Sequence, residues 1–446
     1  MMRSDLLRAA GAIVFLLLAT LPVKAATGDI QILTTPSGIE VWLKEEPSIP
    51  IVAMEIAFRG GAALDPEGKV GLVNMLSGLL DEGAGELESQ AFQDAMDEQS
   101  IRLSFDTGRD AFYGSLTTLS ENLDSATELF RLALNEPRFD AEPVERIRGQ
   151  IMVGLIRDAE DPHAQAWAAF SRKAFPDHVY GRPVDGTTET LEALTAGDFA
   201  TFVDENLTRD RVVVSVVGDI SAEATIAMVE KVLGGLPAQG APLAIADTVA
   251  QSGEVTVVAM DVPQSVLVFG LPGLLRDDPD FYAAYVLNKA LGGGGLNTRF
   301  FEEVRKARGL AYSASSSVYA FDHAGLWLGS AGTQNARAGE TLDVIREILV
   351  DVSANGITEQ ELDDARDYLT GSYPLRLDSN QGIANMLLSI QLDELGVGYL
   401  DERNGFIDAV TAEDVQRVAA RLLHADDLLV VVAGQPEGIT PSAAVE

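Results

Sequence analysis

The side chains that most often bind metals or act as nucleophiles are scarce in this chain of 446 residues. It contains no cysteine, which excludes disulfides, thiolate metal sites, cysteine nucleophiles and iron–sulfur clusters. No two of its four histidines are closer than fifteen positions: they are His163, His178, His323 and His424. We interpret them as surface or capping residues, because a metal site would need them to converge in the fold.

A run of four glycines is the second stretch whose composition could serve chemistry: Gly292, Gly293, Gly294 and Gly295. Phosphate-binding loops have the motif G-x-x-x-x-G-K-S/T, or G-x-G-x-x-G directly after a strand. The run lacks the lysine of the first motif and the glycine spacing of the second. The sequence therefore argues against a phosphate site. Two interpretations remain: the run is a flexible binding loop, or it only breaks the regular structure before the next helix.

Residues 60–83 are predicted to form a glycine-rich turn and a helix, with an apolar face of Leu72, Met75, Leu76 and Leu79. This stretch resembles the metal helix of the pitrilysin/insulinase-like zinc peptidases, a family that includes the mitochondrial processing peptidases and has the motif H-x-x-E-H. In that register the histidine positions fall on Asn74 and Gly78, and the glutamate position on Ser77. These residue types supply neither imidazole ligands nor a carboxylate base, so we predict a degenerate site and no metal or cofactor in this chain.

Two further stretches carry the same resemblance. The family's third metal ligand is a glutamate on a later helix, and the matching positions in the predicted helix Glu142–Asp158 are Val153 and Gly154. The segment Tyr180–Thr187 resembles the family's YGxPxxGT loop, although a turn-rich surface loop would have a similar composition. The third ligand is therefore also missing.

The segment Leu291–Ser313 resembles the signature of the family's second domain, a glycine-rich loop followed by R-x-x-x-G-L-x-Y. The resemblance implies that Arg305 and Tyr312 reach the zinc of another domain or subunit, hold the peptide and stabilise the oxyanion. It also implies that the glycine run borders a peptide channel and binds substrate. Taken singly, Arg305 is typical of a cation at a helix C-terminus and Tyr312 of a core aromatic at the start of a strand.

The elements that would position these residues repeat along the chain. Leu194–Phe199 matches Val410–Val415, and Val212–Gly218 matches Leu428–Gly434, both at an offset of 216 positions. Strand-like runs interleaved with amphipathic helical stretches make each half α+β. We predict two homologous domains, each a mixed sheet with helices on one face, in a clamshell arrangement.

The domain limits follow from composition. Residues 1–25 have the layout of a secretory signal, with cleavage expected near Ala25, or alternatively of a retained anchor. The segment 235–253, rich in Pro, Gly, Ala and Gln, is the predicted linker. This gives an N-terminal domain at 26–245 with the degenerate metal site and a C-terminal domain at 246–446 with the Arg/Tyr motif. A secretory signal predicts a periplasmic or secreted protein without stable membrane insertion.

The net charge limits the classes of molecule that this chain can be expected to bind. With 32 Lys+Arg against 68 Asp+Glu, the formal net charge is −36, which argues against nucleic acid as a partner. The resemblance implies a non-catalytic subunit that pairs with a homologous H-x-x-E-H chain carrying the zinc and acts on peptides. A purely structural or scaffolding homologue is the alternative. A self-sufficient hydrolase is not supported, since no G-x-S-x-G motif is present.

Overall fold

The computed structural model describes residues 30–442, and its first half is built on a six-stranded mixed sheet. The strands up to residue 218 are β1 (Gln31–Thr34), β2 (Glu40–Glu45), β3 (Ile51–Arg59), β4 (Gly83–Ala84), β5 (Leu87–Glu88), β6 (Arg102–Thr107), β7 (Ala111–Leu119) and β8 (Val212–Gly218). The sheet order is β1-β2-β8-β3-β7-β6, while β4 and β5 form a separate short ribbon. Strands β2 and β8 run parallel, and the other neighbours are antiparallel.

The second half is built on a five-stranded sheet of the same topology. Its strands are β9 (Val255–Ala259), β10 (Gln264–Pro272), β11 (Ala311–Ala320), β12 (Gly325–Gln334) and β13 (Leu429–Gly434). The order β9-β13-β10-β12-β11, with only β9 and β13 parallel, repeats the order β2-β8-β3-β7-β6 of the first sheet. The predicted fold of two homologous α+β domains is confirmed.

Fourteen α-helices of the described chain surround these sheets. Those of the first half are α1 (Leu72–Ser77), α2 (Ser89–Glu98), α3 (Leu123–Asn135), α4 (Ala141–Glu160), α5 (Pro162–Ala174), α6 (Thr188–Ala193), α7 (Ala196–Asn206) and α8 (Ala222–Leu233). Those of the second are α9 (Phe281–Leu291), α10 (Ala338–Asn355), α11 (Glu359–Gly371), α12 (Asn380–Leu392), α13 (Tyr399–Asp408) and α14 (Ala412–Leu422), with a π-helix at Phe301–Ala307. No described helix is long and apolar enough to span a bilayer.

The internal repeat is visible in the helix caps. Thr195 and Asp198 form a capping box at the start of α7, and Thr411 and Asp414 form the same box at the start of α14. In each box the threonine hydroxyl and the aspartate carboxylate satisfy backbone N–H groups that lack a partner within the helix. The two boxes lie 216 positions apart, which is the offset of the sequence repeat.

Each half lends one helix to the other half's sheet. On β10, Leu267 and Phe269 face the helices of their own half, whereas Val266 and Val268 pack against α5 of the first half. On the other sheet, Trp42, Ala53 and Val217 pack against α12 of the second half. Side chains alternate between the two faces of a strand, so both faces of each sheet are buried. This exchange joins the two halves. It also adds a helix on the second face of each sheet, where the prediction placed helices on one face only.

The structure corrects two predicted elements. The strand-like pattern of Arg102–Tyr113 predicts one strand, but this run divides into β6 and the start of β7 around a turn at 108–110. The helix expected to include Leu79 ends at Ser77, with Gly78 as its C-cap. Both errors arise because an apolar periodicity continues across a turn when both sides of the turn pack into one core.

The segment between α8 and β9 has neither helix nor strand, as its composition predicts. Two histidines hold it: His178 Nε2 donates to the carbonyl oxygen of Ala246 at 2.8 Å, and His323 Nδ1 lies 2.9 Å from Asp247 Oδ1. The predicted boundary near residue 245 falls within this segment and stays a prediction. The predicted signal at 1–25 lies outside the described residues.

Candidate functional site

The degenerate metal positions lie on the half-buried face of α1. Asn74 and Ser77 are both partly exposed, and Ser77 Oγ donates a hydrogen bond to the carbonyl oxygen of Asn74 at 2.7 Å. Gly78 contributes only backbone. The serine hydroxyl is thus occupied within its own helix, and this face presents an amide and a hydroxyl where two imidazoles and a carboxylate would be required.

The positions that match the third ligand lie on α4. Val153 is 67% exposed, and Gly154 borders open space. Across residues 30–442, no three His, Asp or Glu side chains are grouped so that they could hold a metal ion. The residues at the two helices do not fit zinc, since an amide, a hydroxyl and an aliphatic side chain replace its usual ligands.

Helix α1 is nevertheless held in place by a buried carboxylate. Asp65 is 3% exposed, and its carboxylate oxygens accept hydrogen bonds from the backbone N–H groups of Gly71 at 2.6 Å and Val73 at 3.0 Å. Burial raises the pKa of Asp65 to about 6, while the two backbone hydrogen bonds act in the opposite direction. Sequence reasoning missed this residue, although an acidic side chain shortly before a helix is a known capping signal.

The YGxPxxGT-like loop supports the same helix. Arg182 Nη1 donates to the carbonyl oxygen of Asp65 at 3.2 Å, and Thr190 Oγ1 donates to the carbonyl oxygen of Val70 at 2.7 Å. Tyr180 is fully buried and donates to Asp110 Oδ1 at 2.5 Å. The loop and the first turn of α6 therefore fix the start of α1 from the side, which is a positioning role.

The four histidines do not form a common site. His163 is exposed on α5, and His424 is exposed in the turn after α14, where a ring nitrogen donates to the carbonyl oxygen of Arg421. His178 and His323 do approach each other, since both rings pack against Tyr180 with centroids 4.6 and 6.5 Å away. One ring nitrogen of each is occupied by the linker contacts described above.

The motif pair of the second half lies together on the surface. The Arg305 guanidinium carbon is 4.7 Å from the centre of the Tyr312 ring and 5.2 Å from that of Phe301. Tyr312 is 80% exposed, so it is not the core aromatic that its place at a strand start would favour. Within residues 30–442 neither motif side chain forms a hydrogen bond or an ion pair. An exposed cation–π pair of this kind leaves the guanidinium donors and the phenol free for another molecule.

The π-helix carries Arg305, and β11 carries Tyr312. A π-helix widens the turn, and such segments are frequent at functional sites. Strand β11 is an edge of its sheet, paired only with β12. Tyr312 therefore stands at an edge whose first residues are open to an added strand, whereas the N–H and C=O of Ser316 further along are bonded to Gly292 and Asn288.

The glycine run precedes this helix and divides into two parts. Gly292 is packed, since a Cβ atom there would lie 2.6 Å from the Phe300 ring. Gly294 has a φ of 85° and is exposed. Its carbonyl oxygen accepts a hydrogen bond from Lys289 Nζ at 2.5 Å. The run is thus anchored at its base and open at its tip.

Lys289 was not singled out from the sequence. It is 5% exposed and lies 3.4 Å from the centre of the Tyr368 ring, and burial lowers its pKa. The signal that could have found it is a polar pair, Asn288–Lys289, inside the otherwise apolar helix α9. Its role in this structure is to anchor the glycine run through the hydrogen bond to the Gly294 carbonyl oxygen.

Comparisons with known proteins agree with this geometry. A family model described as the peptidase M16 inactive domain matches residues 193–369. An uncharacterized zinc protease of Streptomyces coelicolor is 28% identical over 406 residues, covering 89% of this chain and 88% of that protein. A protein of Helicobacter pylori named as a non-peptidase homolog is 25% identical over 349 residues, covering 78% and 80%.

A solved structure gives the same result. The crystal structure of a peptidase M16 inactive domain from Pseudomonas fluorescens superposes with a TM-score of 0.86 at 25% identity, covering 94% of this chain and 99% of that one. A match to 94% of the chain extends over both halves. The chain is therefore similar to peptidase M16 proteins, the pitrilysin/insulinase-like group that its sequence resembles, and its own sequence contains no H-x-x-E-H motif.

Proposed function

We propose that this chain is the non-catalytic subunit of a two-chain zinc peptidase. A homologous partner chain supplies H-x-x-E-H and the zinc ion, and this chain supplies Arg305 and Tyr312. In this role the guanidinium binds a carbonyl or carboxylate oxygen of the peptide, and the phenol donates a hydrogen bond to the oxyanion that forms during hydrolysis.

The exposed Arg305–Tyr312 pair is the observation that carries the proposal. A large aromatic ring that is 80% exposed, beside an arginine without a carboxylate partner, contributes little to the stability of its own chain. Such residues are characteristic of binding surfaces. The degenerate positions on α1 and α4 explain why the zinc has to come from a second chain.

The edge position of β11 supports peptide as the substrate. An extended peptide can pair with an edge strand through main-chain hydrogen bonds, which requires no particular sequence. The exposed tip of the glycine run, with Leu296 70% exposed beside it, lies between α9 and the π-helix that carries Arg305. We propose that the four glycines of this run border the peptide.

We further propose that the protein works outside the cytoplasm, in the periplasm or as a secreted protein. The layout of residues 1–25 supports this location. The net charge of −36 supports basic or neutral peptides as substrates, because an acidic surface attracts cations and repels anions.

The test is reconstitution with an H-x-x-E-H homologue from the same cell. Peptidase activity is measured for the mixture with the wild-type chain, with Arg305→Ala and with Tyr312→Phe. We expect each substitution to lower kcat by about 10²-fold or more, the typical effect of removing one oxyanion donor. The loss should appear in kcat more than in KM, since the phenol acts on charge that develops in the transition state.

Two controls separate this role from a structural one. Tyr319→Phe changes another tyrosine of β11, and Lys306→Ala removes a cation next to Arg305; both should leave kcat within about twofold. A scaffolding homologue predicts the opposite pattern. If the Arg305 and Tyr312 variants still bind the partner and its activity is unchanged, the catalytic role is wrong.

A further inference from the structure

A cavity in the second half has a composition unlike the rest of this acidic chain. It measures about 160 Å³ and lies between α9, α12, α13 and the short turn at Tyr373–Arg376. We call it the Arg276 cavity after the residue at its centre. Three arginines line it, Arg276, Arg376 and Arg403, against one carboxylate, Asp393. An excess of positive charge in a chain of net charge −36 marks a local environment suited to an anion.

Arg276 is held rigidly in this cavity. Its guanidinium carbon lies 4.2 Å from the centre of the Phe281 ring, and Nη2 donates to the hydroxyls of Tyr282 at 3.2 Å and Tyr399 at 3.0 Å. Its Nε is 3.4 Å from Asp393 Oδ2. A guanidinium fixed by rings and hydroxyls is pre-organised, so little side-chain entropy is lost when it binds an anion.

The other two arginines form no ion pair within 4 Å among residues 30–442. Arg403 is 7% exposed, lies 4.3 Å from the centre of the Tyr373 ring and donates only to neutral oxygens, those of Leu369 and Asn404. Arg376 is exposed at the mouth and forms no ion pair. A buried guanidinium without a carboxylate is unusual, because desolvation of a charge is normally offset by an opposite charge.

Tyr373 adds an unused donor. Its side chain is 5% exposed, and its hydroxyl is buried without a hydrogen-bond partner. Buried hydroxyls are nearly always paired, so this one marks a place where an acceptor is missing. Met386, Ile390 and Leu395 give the same cavity an apolar wall.

We propose that the Arg276 cavity binds a small organic carboxylate with a short aliphatic chain. The arginines and the Tyr373 hydroxyl take the carboxylate oxygens, and the apolar wall takes the carbon chain. The volume sets the size of the ligand, since about 160 Å³ is well below the roughly 300–1,000 Å³ of pockets that hold drug-sized molecules. This site is independent of the Arg305–Tyr312 pair and of any partner.

The test is calorimetric titration of the purified chain with butyrate at constant ionic strength, with inorganic phosphate as the comparison anion. We expect saturable binding of one butyrate per chain. Arg376→Gln and Tyr373→Phe should each weaken it by about tenfold or more, the usual effect of losing a hydrogen bond to a charged group. Arg157→Gln, which removes an exposed arginine far from the cavity in sequence, should leave the affinity unchanged.

A second readout separates ligand binding from fold stability. Tyr373→Phe removes an unsatisfied buried hydroxyl, so its melting temperature without butyrate should equal or exceed that of the wild type. The proposal is overturned if no saturable heat is seen with the wild-type chain. It is also overturned if Arg157→Gln loses as much affinity as Arg376→Gln, or if phosphate binds as tightly as butyrate.

Discussion

Glu55 shows at the scale of one residue how the two halves are joined. It lies on the face of β3 that α12 covers and is only 3% exposed. Its carboxylate accepts hydrogen bonds from Ser115 Oγ at 2.8 Å and from Gln381 Nε2 of α12. Burial raises its pKa from an ordinary 4.5 to about 7, although both hydrogen bonds act to lower it.

The raised pKa predicts how stability changes with pH. The folded chain holds the Glu55 proton more tightly than the unfolded chain, so stability decreases as pH rises from about 4.5 to about 7. The contribution reaches at most about 3 kcal/mol. In Glu55→Gln, which imitates the protonated form, the loss of unfolding free energy between pH 5 and pH 7.5 should be smaller by that order, as measured by urea unfolding.

Other buried carboxylates have raised pKa values, so the comparison needs a control. Asp65 and Asp81 titrate near pH 6 and change stability in the same direction. Glu121→Gln, at an exposed glutamate, should keep the wild-type pH dependence. Equal pH profiles for wild type and Glu55→Gln would mean that Glu55 is charged in the folded chain.

At the scale of elements, the repeat and the boundaries of strongly patterned segments could be predicted from sequence. Helix α7 and strand β8 were located by their counterparts 216 positions later. The exchange of α5 and α12 could not be predicted, because an amphipathic stripe shows that a helix is buried but not which sheet buries it. The contact between Arg305 and Tyr312 was missed for a related reason, since it depends on how the π-helix packs against β11.

The exchanged helix α12 gives a second prediction. Leu387 is fully buried between α12 and the sheet of the first half. Leu387→Ala should lower the unfolding free energy by about 2–5 kcal/mol, the range for a buried leucine. Leu375→Ala, at a leucine that is 74% exposed, should change it by less than about 0.5 kcal/mol. Because α12 belongs to the second half and packs on the sheet of the first half, the two halves should unfold together. Circular dichroism and tryptophan fluorescence should therefore report a single unfolding transition in Leu387→Ala. Two separate transitions would show that the helix exchange does not couple the two halves.

At the scale of the whole molecule, the duplicated fold is intact although the positions that match the metal ligands are substituted. The two sheets share one strand order, and each is completed by a helix from the other half. The first half retains the buried Asp65 anchor of α1, while the ligand positions on α1 and α4 hold Asn74, Gly78 and Val153. The second half retains an exposed Arg305–Tyr312 pair. An intact fold around substituted ligand positions is the basis of our proposal that this chain works with a catalytic partner.

The most direct test is zinc stoichiometry combined with an activity titration. Increasing amounts of this chain are added to a fixed amount of the proposed partner, an H-x-x-E-H homologue from the same cell, and bound zinc and peptide cleavage are measured at each ratio. We predict that the chain alone is zinc-free and inert, and that activity saturates at one chain per partner with one zinc per pair. Zinc binding and chelator-sensitive peptide cleavage by this chain alone would contradict the account.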